Sequence, residues 1–174
     1  MSGAIADCIA AASAHNKFIA GRVKVFVRIG SDGRARWSWL PESTLGDRGA
    51  EKCITAAARA ARWPAPELGG EGEAQKAFEF DPSPDERPAV TWPAERTRAA
   101  LAAARGKFAT CGGAGEGSFR VTAYVGTEGE VLAAGAAAPR RDAEQAADCV
   151  VDIVRTLRFP SPGSWPAKVT FDVD

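Results

Sequence analysis

The residues best suited to chemistry in this 174-residue chain are four cysteines, Cys8, Cys53, Cys111 and Cys149, and a single histidine, His15. Zinc and iron–sulfur sites usually draw on close pairs such as C-x-x-C, because one turn must present two sulfurs to one ion. No such pair is present, and one histidine leaves little for a mixed site. No metal or cofactor is expected. Ser118 lacks a G-x-S-x-G elbow and has no histidine in its own half of the chain, so a serine nucleophile would have no base. His15 follows an alanine-rich stretch and reads as a surface or capping residue. The acidic residues scatter through turns and helix starts, where solvation and the helix dipole account for them. Gly113-Ala-Gly115-Glu-Gly117 is glycine-rich, but a phosphate-cradling loop runs from strand into helix and this one runs from helix into strand. It reads as a flexible connector. No catalytic residue is assigned, and the chain is expected not to be an enzyme.

Charge excludes further classes. Lys plus Arg and Asp plus Glu number 22 each, so no net field attracts nucleic-acid phosphates. With 45% hydrophobic and 25% charged residues the composition is that of a folded globular chain. No apolar run approaches the roughly 20 residues of a spanning helix. Met1-Ser2-Gly3-Ala4 lacks a charged region followed by a hydrophobic one, so an exported protein with this start would already have lost its signal or anchor.

The elements that would position these residues come from a match of the chain to itself at an offset of 96. Gly21, Val25, Gly30, Gly33 and Cys53 fall on Gly117, Val121, Gly126, Gly129 and Cys149. Arg59, Arg62, Pro64 and Pro66 fall on Arg155, Arg158, Pro160 and Pro162. Six of these nine identities are Gly, Pro or Cys, the residues that fix turns, chain direction and cross-links. A duplicated domain follows as the expectation: residues 1–82, a proline-rich linker at 83–91, and residues 92–174.

Each copy opens with helix formers, Ala4 to His15 and Ala94 to Phe108. Strict alternation of Val23, Val25, Val27 and Ile29 with Arg22, Lys24, Phe26 and Arg28 then predicts a half-buried strand, repeated by Phe119, Val121, Ala123 and Val125. Gly30-Ser-Asp-Gly33 and Gly126-Thr-Glu-Gly129 predict tight turns into returning strands at 34–40 and 130–134. Helices at 47–61 and 142–157 come next; in the second, Cys149, Val150, Ile153 and Leu157 define the expected apolar face. Trp63-Pro64 and Phe159-Pro160 stop them. Short third strands close each copy at 76–80 and 168–173. The predicted fold class is α+β, each copy a helix–hairpin–helix–strand unit with a three-stranded antiparallel sheet and helices on one face.

These residues resemble the C-terminal domain shared by TonB-type energy transducers, TolA and AgmX/PglI-type gliding-motility proteins. The resemblance rests on G-x-V-x-V-x-x-x-I-x-x-D-G at Gly21 to Gly33, Ser43-Thr-Leu-Gly-Asp47, the helix bearing Cys53, and Trp63-Pro-x-Pro66. The second copy keeps the hairpin glycines, Cys149 and Phe159-Pro-x-Pro162, but carries Pro139-Arg-Arg-Asp142 in place of the Ser-Thr-Leu-Gly-Asp segment. It implies a periplasmic or cell-envelope location. There a Cys8–Cys53 disulfide would tie the first helix to the second, closing a loop worth about 4 kcal/mol in the chain-entropy model, with Cys111–Cys149 as its counterpart. The alternative is four free, buried thiols in a reducing compartment.

The resemblance also implies a partner segment taken at sheet edges, which places binding at Ala77, Phe78, Glu79 and Phe80 and at Val169, Thr170 and Phe171. Trp37 and Trp39 share one side of their strand. They read as core beneath the helices, because Ala133 and Gly135 replace them in the second copy; the alternative is an exposed aromatic pair that anchors a partner. The expected function is a non-enzymatic module binding a protein partner in a motility, transport or energy-transduction assembly. The alternative is a structural spacer or homodimerisation module without a peptide ligand.

Overall fold

The computed structural model describes residues 2–67, 69–112 and 117–174; residues 113–116, read as a flexible connector, lie outside them. The N-terminal half runs α1 (Ser2–Ser13), β1 (Gly21–Ile29), β2 (Ala35–Ser43), α2 (Arg48–Ala60) and β3 (Gly72–Phe80). The C-terminal half runs β4 (Val90–Trp92), a 3-10 turn into α3 (Arg98–Phe108), β5 (Phe119–Val125), β6 (Val131–Ala137), a second 3-10 turn into α4 (Glu144–Arg155), and β7 (Ala167–Val173). The fold is mixed α+β, with a three-stranded antiparallel sheet ordered β2-β1-β3 and a four-stranded sheet ordered β4-β7-β5-β6.

Each half buries its own core. Val23, Val25, Val27 and Ile29 turn to the helix side and meet Ile5, Cys8, Ile54 and Ala58. Phe119, Val121, Ala123 and Val125 meet Ala147, Val150, Val151 and Val154. The buried face of α4 is therefore centred a little away from the one drawn through Cys149; Ile153 and Leu157 only flank it.

The turns are closed identically in both hairpins. Gly30 N–H donates to Arg34 C=O and Gly33 N–H to Gly30 C=O, both at 2.9 Å; Gly126 donates to Glu130 at 2.8 Å and Gly129 to Gly126 at 2.9 Å. The chain leaving each second helix returns to its hairpin: Trp63 N–H reaches Gly33 C=O at 3.1 Å, and Phe159 N–H reaches Gly129 C=O at 2.8 Å. Gly33 and Gly129 both hold positive φ, and a Cβ on Gly129 would collide with the Phe159 carbonyl.

Two disulfides are present, Cys8–Cys53 and Cys111–Cys149, with Cα–Cα distances of 5.7 and 5.5 Å, and no cysteine is free. Each ties the first helical segment of its half to the second.

Three expectations need adjusting. β3 is nine residues long, starting at Gly72 rather than near residue 76. The linker assigned to 83–91 ends inside β4, a strand missed because three residues between prolines carry no period. Trp37 and Trp39 are not core beneath the helices: Ser38 and Leu40 take the buried side of β2, and both indoles lie half-buried on the opposite face. Burial alternates through these four residues, although the β1–β2 register shifts on either side of them.

Candidate functional site

The face of each sheet turned away from its helices meets a different fate, and that difference locates the available surface. In the C-terminal half this face carries Thr122, Tyr124, Ala133 and Gly135, all buried. The N-terminal half covers them. Phe18 stacks on Tyr124 with ring centroids 6.5 Å apart, and Gly46 lies so close that a Cβ would come within 2.8 Å of the Tyr124 ring. A Cβ on Gly135 would stand 2.7 Å from the Asp47 nitrogen. Small residues at 133 and 135 are thus a docking requirement, which explains why Trp37 and Trp39 have no aromatic counterparts there.

Charged groups lock this junction. Asp47 caps α2 by accepting from Ala50 N–H at 2.9 Å, and its other oxygen lies 2.9 Å from His15 Nε2. One turn further, Glu51 is 1% exposed; it accepts from the Ser43 hydroxyl at 2.6 Å and, across the junction, from Ala136 N–H at 2.9 Å. Arg48, 5% exposed, donates to Ala136 C=O at 3.3 Å, Asp148 at 2.8 Å and Glu144 at 2.9 Å. The two side chains thereby satisfy both backbone groups of Ala136 on β6, an edge strand, as a neighbouring strand would. Burial pushes the Glu51 carboxyl up, opposed by the Ser43 hydroxyl, Arg48 and Ala136 N–H. Desolvation draws Arg48 down, but its bond to Asp148 and the surrounding carboxylates outweigh that and hold it cationic. Arg48 and Glu51 give no signal of this role in the sequence, because on α2 they look like an ordinary polar helix start.

Lys168 closes the same junction, donating to Ala20 C=O at 2.6 Å with its Nζ 5.5 Å from the Tyr124 ring centroid. Desolvation pulls its pKa from 10.5 down to about 8, whereas burial pushes Tyr124 from 10.0 up to about 12. The folded chain therefore gives up the Lys168 proton more readily than the unfolded chain does. The stability this supplies is absent below pH 8, grows as pH rises toward 10.5, and is opposed by Tyr124 only above pH 10. Thermal melts of wild type and Lys168→Met across pH 8 to pH 10 are expected to diverge, the wild type gaining relative to the variant. Parallel curves would refute the assignment.

In the N-terminal half the corresponding face is only partly covered. Phe26 stacks on Trp37 at 5.4 Å between centroids with planes 13° apart, Trp39 sits opposite Phe26 in register, and the Arg141 guanidinium lies 5.2 Å from the Trp37 centroid. Both rings are half-buried, and that of Trp37 is partly capped by the other half.

The edges differ as well. β3 is bonded only to β1, so among the described residues its other edge, including Ala77, Phe78, Glu79 and Phe80, is unpaired over nine residues. β7 is an interior strand. β4 runs parallel to it, pairing Val90 with Ala167, Thr91 with Lys168 and Trp92 with Val169. Val169 is therefore not a free edge. Thr170 lies past the end of β4 with its hydroxyl 2.8 Å from that of Thr122, and Phe171 is 4% exposed in the core. Beside them a groove of about 510 Å3 is lined by Leu101, Phe108, Phe171, Arg98 and Arg105. Glu95, Asp172 and Asp174 also line it, three acids beside the two arginines.

Fold and site together define a disulfide-stapled α+β protein whose edge strands include β3, of the kind an oxidising, extracytoplasmic compartment maintains. Among the described residues no helix is long and apolar enough to cross a membrane. No protein family, curated protein or solved structure matches the chain.

Proposed function

We propose that the chain is a tandem pair of TonB/TolA C-terminal-like units of the AgmX/PglI type, serving in the cell envelope as a non-enzymatic protein-binding module. The recurrence of hairpin and helix-return contacts 96 residues apart supports common descent of the two halves, and of the disulfide cysteines Cys53 and Cys149 keep that offset. The single observation that carries the binding reading is β3, whose backbone is paired on one side only. An extended segment added there gains main-chain hydrogen bonds with little dependence on side chains. The parallel pairing of β4 with β7 within the chain supports this reading as an intrachain precedent for a short strand added at a sheet edge.

The test is titration of the 15N-labelled chain with a set of extended peptides. Amide shifts are expected to concentrate on Gly72–Phe80. A mass that rises with concentration, together with unmoved β3 amides, would instead favour the spacer or homodimer reading, in which copies of the chain satisfy each other's edges.

A further inference from the structure

Resting on strand addition at β3, we infer that the segment it receives is basic, with cationic residues alternating with aliphatic ones. The stretch from Glu71 to Asp81 holds four acids, Glu71, Glu73, Glu79 and Asp81, against one cation, Lys76. Alternation sorts its side chains: Glu73, Gln75, Ala77 and Glu79 face away from the helices, and Ala74, Lys76, Phe78 and Phe80 face the helix side.

The strand β3 already holds shows what complements it. β1 is Gly-Arg-Val-Lys-Val-Phe-Val-Arg-Ile, and its register sets Arg22 opposite Glu79 and Arg28 opposite Glu73, while Val23 lies opposite Phe78. Arg28 bonds both Glu73 and Glu71. A second strand of the same character on the free edge would bring cations to the outer oxygens of the acidic row. Its aliphatic residues would extend the core over Phe78 and Phe80, which are only half-buried. Glu79 makes no ion pair within the described residues, and Glu73 remains 53% exposed beside Arg28. Charge also argues against a second copy of β3 as the occupant. Two such strands centred on Lys76 would set Lys76 against Lys76 and Glu73 against Glu79, like charges directly opposed. Lys76, a charge pointing to the helix side in mid-strand with its Nζ 5.1 Å from the Phe78 ring, is a device that discourages such self-pairing.

Two blocked nonapeptides test this, one alternating Arg with Val and one alternating Glu with Val, titrated into the disulfide-bonded chain with β3 amide shifts as the readout. The Arg/Val peptide is expected to bind about tenfold more tightly, from two or three favourable cross-strand charge pairs, and to weaken as salt rises. Glu73→Lys with Glu79→Lys should reverse the preference. Glu79→Lys alone, which keeps the Arg28–Glu73 pair and so guards against misfolding, should reduce it. Equal affinities at β3, or a preference unchanged in the double variant, overturn the charge assignment and leave strand addition standing. Shifts that avoid β3 with both peptides overturn the two together.

Discussion

An Arg48→Ala chain is expected to lose about 3–5 kcal/mol of folding stability, the cost of leaving buried charge without its partner. The guanidinium is 5% exposed and is shared by Asp148, Glu144 and the Ala136 carbonyl, with the Glu51 carboxylate 3.6 Å away. Removing it strands Glu51, which is 1% exposed, beside two further acids. Because burial already pushes the Glu51 carboxyl up, the variant should bind a proton there, and the loss should shrink as pH falls into the carboxylate range. Urea titrations at neutral and acidic pH measure both effects; a loss below about 1 kcal/mol at neutral pH would mean that the ion pair is solvated and the junction loose. Replacing Arg48 and Glu51 together by apolar residues, a swap that is often neutral for a buried pair, should not fully recover stability here. It leaves the N–H and C=O of Ala136 unpaired.

The second large effect concerns the disulfides. Their closed loops span 45 and 38 residues, and the chain-entropy model gives about 4 kcal/mol for each. Together they match a large part of the 5–15 kcal/mol that folded proteins commonly possess. Reduction is therefore expected to lower the denaturation midpoint steeply, and Cys53→Ser and Cys149→Ser should each reproduce about half of the fall. α1 depends most on its bond, since an alanine-rich helix of 12 residues is marginal alone and buries only Ile5, Cys8 and Ala12. Unchanged midpoints in dithiothreitol would show that packing, not cross-linking, holds both halves.

What could be read from sequence followed local rules. The period-2 runs at 22–29 and 119–125 become β1 and β5, the paired glycines turn both hairpins, and both helices stop before Pro64 and Pro160, at Ala60 and Arg155. Packing between the halves follows no local rule. Yet one signal was available: Ala133 to Ala138 is uniformly small and apolar, without the alternation of β2, and Thr122 and Tyr124 interrupt β5 with bulk on its outer side. A strand apolar on both sides is buried on both sides. That pattern foretells a covered second sheet and makes Trp37 and Trp39 intelligible as the outer face of the less covered one. β4 gave no comparable signal, being three residues of which only Trp92 packs into the core.

Neither disulfide crosses from one half to the other, and the connection through Pro82, Pro84 and Pro88 carries none of the junction's buried bonds. A protease cut between β3 and β4 would consequently yield two fragments, each with its own staple, that stay associated through Arg48, Glu51, Lys168 and Tyr124. The molecule has in effect the makings of a split protein, reassembled by complementary surfaces rather than by chain continuity.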